Sequence, residues 1–279
     1  MRARLSARSI AEVDYSHVLA ELLPNRRYGG KLVFITGAQG SGKTTLMAKM
    51  ADALLPKGVH IFWRGRPKGH VFLYSRSPKV VLVHEALKDI EPRRVEEQRW
   101  ERIDWRDLGV EHVEWFSRPE ELEGLGADFE HALMVVYMPR ALWRKTLALW
   151  PKWRCLAYWA GFWLDEFGQI APEYPVKGLW QKLQRVADGI AEMRKMDTYV
   201  VAASQQPKDV FFLVRGKFQY RIILPGTIVE STCRITQRAV DNLPRGWGFI
   251  VHGRFYRFPF KPAELLLPFD IQIHARHLF

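Results

Sequence analysis

Residues Gly37, Ala38, Gln39, Gly40, Ser41, Gly42, Lys43 and Thr44 read G-x-x-x-x-G-K-T, matching the phosphate-binding P-loop at every fixed position. The pattern constrains local structure as much as chemistry. Such a loop works between a buried strand and the N-terminus of a helix, where backbone N–H groups turn inward and the helix dipole adds positive charge. Both flanks are present: residues 32–35 are continuously apolar and read as a strand, and residues 45–55 favour helix. In this setting Lys43 reaches the β/γ-phosphates, the Thr44 hydroxyl holds Mg²⁺ and Thr45 follows in the first turn. Residues 37–45 are therefore the candidate site for ATP and Mg²⁺.

The chain has 279 residues, 48% hydrophobic and 26% charged, which allows one large α/β domain with a substantial core. Lys and Arg number 42 against 30 Asp and Glu, a net charge of +12. Nucleotide binding alone does not need that excess. It serves solubility, or it suits a polyanionic partner, nucleic acid first. Cys155 and Cys233 are the 2 cysteines; their number and spacing exclude a disulfide framework and a C-x-x-C metal site, as expected in a reducing, cytoplasmic compartment. The basic start, residues 1–8, lacks the apolar run of a secretory signal. The longest uncharged apolar stretch, 155–164, is about half of what a membrane helix requires.

Residues 1–30 read as a basic N-terminal arm with a short amphipathic helix over 14–23 and a linker over 24–30. An ATPase domain is expected over 31–262 and a tail over 263–279. Strand-like runs recur at 59–63, 80–83, 113–116 and 133–138, separated by helical or polar segments. This alternation argues a mostly parallel sheet flanked by helices. The charge-dense stretch 91–107 reads as a surface helix or excursion. Ser117 and Glu120 have the spacing of a capping box. The Gly/Pro loop 64–70 is basic and suits either a nucleic-acid phosphate or a solvated turn. Residues 243–258 alternate aromatic and basic residues about a Gly turn and read as a C-terminal β-hairpin. It either grips nucleic acid or packs its rings on the core.

Residues 160–164 form an apolar run that ends in Asp165 and Glu166. A P-loop enzyme needs an acid at the C-terminal end of a neighbouring strand for Mg²⁺, which suits Asp165. Glu166 is placed to polarise an attacking water as general base. A second apolar run, 198–203, ends in Ser204, Gln205 and Gln206. Gln205 there either senses the γ-phosphate or merely ends the strand. The helix between, residues 179–196, has an apolar stripe of Leu179, Leu183, Val186, Ile190 and Met193. Arg194 at its C-terminal end either complements the helix dipole or reaches a neighbouring subunit's nucleotide.

These three segments together resemble the HerA–FtsK superfamily of DNA-pumping ATPases. It runs from a strand ending in Asp-Glu, through a helix carrying Arg, to a strand ending in Thr-Gln-Arg-Pro or Ser-Gln-Arg-Pro. Here Gln206 stands where that family often has Arg. The resemblance implies a RecA-like P-loop fold of the ASCE type, with the Gln-ended strand inserted between the P-loop strand and the Asp-Glu strand. It implies Lys43 and Thr44 on phosphate and Mg²⁺, Asp165 on Mg²⁺, Glu166 as the catalytic glutamate, Gln205 as sensor and Arg194 as an arginine finger given in trans. Arg221 resembles a second family arginine, with Arg215, Arg234 and Arg238 nearby. The family works as a ring, usually a hexamer, with double-stranded DNA in its pore. With no membrane helix or nuclease domain legible, the chain is most similar to the genome-packaging ATPases of tailless icosahedral viruses with an internal membrane. That implies capsid or portal-vertex partners and a place in the host cytoplasm or virion. A filamentous-phage export ATPase, a DNA-binding protein with an inactive P-loop and a small-molecule kinase are the other expectations.

Overall fold

A continuous apolar run has no solvent face, so it belongs in the middle of a sheet covered on both sides. A computed structural model describes residues 10–24, 29–96, 99–155, 158–231, 233, 235–261 and 264–276. In it β2 (Leu32–Thr36) occupies that position, buried at every residue. β10 (Thr198–Ser204) pairs parallel with one side of β2, and β11 (Tyr220–Ile223) with the other. Beyond β10 come β9 (Trp159–Leu164), β3 (Val59–Arg64), β8 (Leu133–Tyr137), β4 (Lys79–His84) and β7 (Val110–Phe116), all parallel. Beyond β11, β12 (Trp247–His252) and β13 (Arg254–Pro259) form the expected hairpin, and β1 (Ala11–Glu12) closes that edge. The Gln-ended strand β10 thus lies between the P-loop strand and the Asp-Glu strand β9, as the resemblance implies.

The two sheet faces carry separate cores. α1 (Tyr15–Leu22), α2 (Lys43–Leu54) and α3 (His70–Tyr74) cover one. α4 (Leu122–Asp128), α5 (Arg140–Trp153), α6 (Trp180–Met193) and α7 (Phe212–Arg215) cover the other. α8 (Gln237–Asp241) packs with a smaller cluster beside the hairpin. The α6 stripe behaves as its spacing requires: Leu183, Val186, Ile190 and Met193 are buried. Much of the tryptophan is core. Trp150 is fully buried, edge-on to Phe62 and Phe162 at 5.7 and 4.9 Å, and its Nε1 donates to Thr198 Oγ1 at 3.3 Å. Trp150→Ala should cost about 3–5 kcal/mol, read as a lower midpoint in denaturant unfolding. Among the described residues, no helix is long and apolar enough to cross a membrane.

Three local expectations are corrected. Of the two readings of the charged stretch 91–107, the excursion holds and the surface helix does not: most of its described residues lie in β5 (Lys88–Glu96) and β6 (Arg99–Arg102), which pair antiparallel, and a short helical turn over Trp105–Leu108 follows. The segment 263–279 supplies a strand, β14 (Asp270–Arg276), which completes a three-stranded sheet with them. Ile271 and Ile273 of that strand are buried in the main core, which is the apolar contact that holds it there. Ser117 caps nothing. The turn starts after Arg118, and the Ser117 N–H donates to Glu121 rather than Glu120, at 3.2 Å. The arm is anchored over its described part, since Val18 and Leu22 are fully buried and Tyr199 Oη donates to the Leu22 carbonyl at 2.9 Å. The basic tip, residues 1–8, lies outside the described residues.

Candidate active site

Parallel strands carry their loops to one end of the sheet, and the C-terminal ends of β2, β9, β10 and β3 meet there. The P-loop leaves β2 and turns through Gly40 and Gly42, both at positive φ, into α2. At Gly42, φ is +94° and a Cβ would stand 3.0 Å from the Phe260 ring, so no other residue fits without strain. Lys43 Nζ donates to the carbonyls of Gly37 and Ala38 at 2.7 and 2.9 Å, which holds the ammonium over the loop. Burial lowers its pKa, and the charges of Asp165, Glu166 and Asp209 oppose that shift. Ser41 Oγ is buried without a hydrogen-bond partner in the protein, an open position in the cradle. Thr45 is buried in the first turn of α2.

Thr44 Oγ1 donates to Asp165 Oδ2 at 3.0 Å across the gap between α2 and β9. Asp165 is buried, and its Oδ1 accepts from the Glu166 N–H at 2.9 Å. A hydroxyl and a carboxylate oxygen this close are hard donors of the kind Mg²⁺ takes, with nucleotide phosphates and water completing its shell. Among the described residues no cluster of three His, Cys, Asp or Glu offers a metal site of another kind.

Glu166 sits in the left-handed region, with φ of 47° and ψ of 51°. For a non-glycine residue this conformation persists only where its surroundings enforce it. Here they do. Arg64, buried at the end of β3, donates Nη1 to the Asp165 carbonyl at 2.7 Å and Nη2 to Gln169 Oε1 at 3.2 Å. Gln169 Nε2 donates to Glu166 Oε2 at 2.5 Å, and Arg66 makes an ion pair with the same oxygen. Burial, then the charges of Arg66 and Arg140, pull the Arg64 pKa down to about 9, still cationic at neutral pH. The sequence marked the basic loop 64–70 only as a phosphate contact or a solvated turn. Its arginines turn inward to the candidate catalytic acid, which no local pattern signals.

Gln205 follows the last residue of β10 and lies beside the P-loop: its carbonyl accepts from the Gly37 N–H at 3.2 Å, and its side chain is exposed. Gln206, the departure from the family pattern, makes different contacts. Its Oε1 accepts from the Ile228 N–H at 2.6 Å, and its Nε2 donates to the Gly226 carbonyl at 2.9 Å. The Ala38 N–H in turn donates to the Pro225 carbonyl at 3.0 Å. Gly226, at φ +77°, approaches Ala38 so closely that a Cβ would fall 2.4 Å from that residue's own. The loop after β11 is thereby fastened to both the P-loop and the end of β10.

The remaining candidates lie elsewhere. Arg194 is in the turn after α6, beside Lys31, Glu21, Tyr220 and His252, and its carbonyl accepts from the Gly30 N–H at 2.8 Å. This is the opposite end of the sheet from the P-loop, about 20 Å away along β10 at a strand's rise per residue. Arg194 therefore cannot touch its own chain's nucleotide. Arg221 lies on β11, level with Phe34 of β2, and shares Glu230 with Arg215 at 2.7 and 3.2 Å. Arg234 lies outside the described residues.

No family model matches the chain, and no curated protein matches it. Solved structures do. The plasmid coupling protein TrwB, in complex with the ATP analogue ADPNP, superposes with a TM-score of 0.57 at 12% identity, over 93% of this chain and 95% of that one. The genome packaging NTPase B204 from Sulfolobus turreted icosahedral virus 2, in complex with AMPPCP, gives 0.50 at 12% identity, over 84% and 98%. The chain has the RecA-like P-loop fold that these two structures share. At this identity the likeness is one of fold. The P-loop, the Thr44–Asp165 pair and Glu166 are this chain's own features, brought together by the crossover order of β2, β10 and β9.

Proposed function

We propose that the chain is an ATP-driven double-stranded DNA translocase that serves as a viral genome-packaging ATPase, pumping DNA into a preformed capsid. The Thr44–Asp165 contact carries the reading, because it joins the P-loop to the acid-ended strand as Mg²⁺·ATP hydrolysis requires. Lys43 and the backbone N–H groups where the P-loop enters α2 bind the phosphates. Thr44 and Asp165 hold Mg²⁺, which neutralises phosphate charge when bound. Glu166 orients and deprotonates the attacking water, and Gln205 links the phosphates to the end of β10. Arg194, remote from its own P-loop, supports a ring in which each subunit completes its neighbour's site, with Arg221 as the second trans arginine. A hexamer is the expected ring, and capsid or portal-vertex proteins in the host cytoplasm or virion are its expected partners. The net charge of +12 suits DNA as the track.

Steady-state ATP hydrolysis with and without double-stranded DNA tests this. A translocase should hydrolyse ATP faster on DNA and lose the stimulation as salt rises. Hydrolysis indifferent to DNA would favour a small-molecule kinase, and none at all an inactive P-loop.

A further inference from the structure

α5 and α6 run parallel and press backbone to backbone in their C-terminal halves, where a Cβ on Gly189 would stand 2.1 Å from the Leu147 carbonyl oxygen. Toward their N-termini a groove of about 270 Å³ lies between them. Ala141 and Ala148 line it, together with four cations: Arg144 and Lys145 of α5, Lys182 and Arg185 of α6. Spacings of three and four residues put these side chains on the facing sides of the two helices. Two of the cations are held from behind. Arg144 Nε donates to the Ile170 carbonyl at 2.7 Å, and Lys145 Nζ pairs with Glu120 at 3.0 Å. Lys182 and Arg185 are exposed and, among the described residues, in no ion pair. Asp188 and Glu192, the acids farther along α6, do not line the groove, and Glu192 pairs with Lys195 at 2.9 Å. Burial lowers the Arg144 pKa, and the charge of Arg140 lowers it further, so like charges are crowded at this end. Both helices start from the C-terminal ends of their strands, so the groove opens at the end of the sheet where the P-loop lies.

We propose that this groove holds the sugar-phosphate backbone of one DNA strand, with Lys182 and Arg185 on phosphate oxygens and the alanine methyl groups against deoxyribose. The inference rests on the reading of double-stranded DNA as the track. Cations that face one another without acids between them repel until an anion joins them, and a polyanion gains further by releasing its counterions. A protein occupant fits the lining less well. Four of its seven side chains are charged, whereas the buried centre of a protein interface is depleted of charge. Contacts to phosphate read no base, which suits a chain that must pass along any sequence.

Anisotropy of a fluorescein-labelled DNA duplex, titrated with the full chain over a series of salt concentrations, tests this. The double variant Lys182→Gln, Arg185→Gln is compared with the parent and with Lys57→Gln, Lys88→Gln, which removes two exposed charges from outside the groove. Thermal midpoints verify that each variant keeps the fold. The groove variant should bind the duplex roughly tenfold or more weakly, and its slope of log affinity against log salt should flatten by about 2, one for each lost phosphate contact. The control pair should keep the parent slope, and so should Lys182→Arg, which keeps its charge. An unchanged slope in the groove variant would overturn the inference while duplex binding by the parent left the translocase reading in place. A parent that binds no duplex would overturn both. Loss of self-association on sizing, or of poly-glutamate binding, with duplex affinity unchanged would assign the groove to a second copy or to an acidic protein segment, and would also overturn it.

Discussion

Arg194→Ala should reduce ATP hydrolysis by roughly 10³-fold or more while each subunit still binds nucleotide, the loss expected of an arginine finger. The reason is geometric. Arg194 follows α6 at one end of β10, and the phosphate cradle lies at the other, about 20 Å away. A guanidinium at that distance cannot stabilise charge on its own subunit's γ-phosphate, so any catalytic role must be exercised on a neighbour. Mixing provides the decisive form of the experiment. A Lys43→Ala subunit has a dead cradle and an intact finger; an Arg194→Ala subunit has the reverse. Roughly a quarter of the interfaces in a random one-to-one ring join an intact cradle to an intact finger. Two inactive proteins should therefore recover a measurable share of the parent rate when combined. If Arg194→Ala alone keeps full hydrolysis, Arg194 is simply the last-turn cation of α6.

Glu166→Gln should bind ATP with near-parent affinity and stall, with kcat lowered by about 10²–10⁴, the contribution of a general base. The substitution keeps shape and hydrogen-bonding reach. Glu166 makes no bond to Thr44, so the contact between Thr44 and Asp165 should survive. The amide cannot take a proton from water. Single-turnover measurement separates the two steps, since binding should proceed normally and cleavage should not follow. Loss of binding in parallel with turnover would instead place Glu166 in the nucleotide cradle.

What the sequence revealed was short-range. The P-loop, the Asp-Glu strand, the α6 stripe and the hairpin are each encoded within about sixteen residues, by periodicity or by a fixed motif, and each forms where expected. The order of β2, β10 and β9 was legible only through the family resemblance, because nothing within a strand names its neighbour. What stayed hidden depends on distant pairing. β5 is dense in charge, with Ile90, Pro92 and Val95 its apolar residues, which also suits a surface helix, and its partner β14 lies far along the chain. The ion pair between Arg66 and Glu166 joins residues a hundred positions apart, through two loops that meet because β3 and β9 are adjacent. Ser117 shows the smaller failure: the capping spacing was present, but Pro119 shifted the turn by one residue, and Glu121 took the bond.

Displacement of a third strand from a double-stranded DNA that carries a short triplex tests the central claim most directly. A chain that moves along DNA should strip the third strand in the presence of ATP and Mg²⁺, and should fail to do so with a non-hydrolysable analogue or with Glu166→Gln. Hydrolysis that proceeds on DNA while the triplex stays intact would contradict translocation and leave a DNA-stimulated ATPase that does not move.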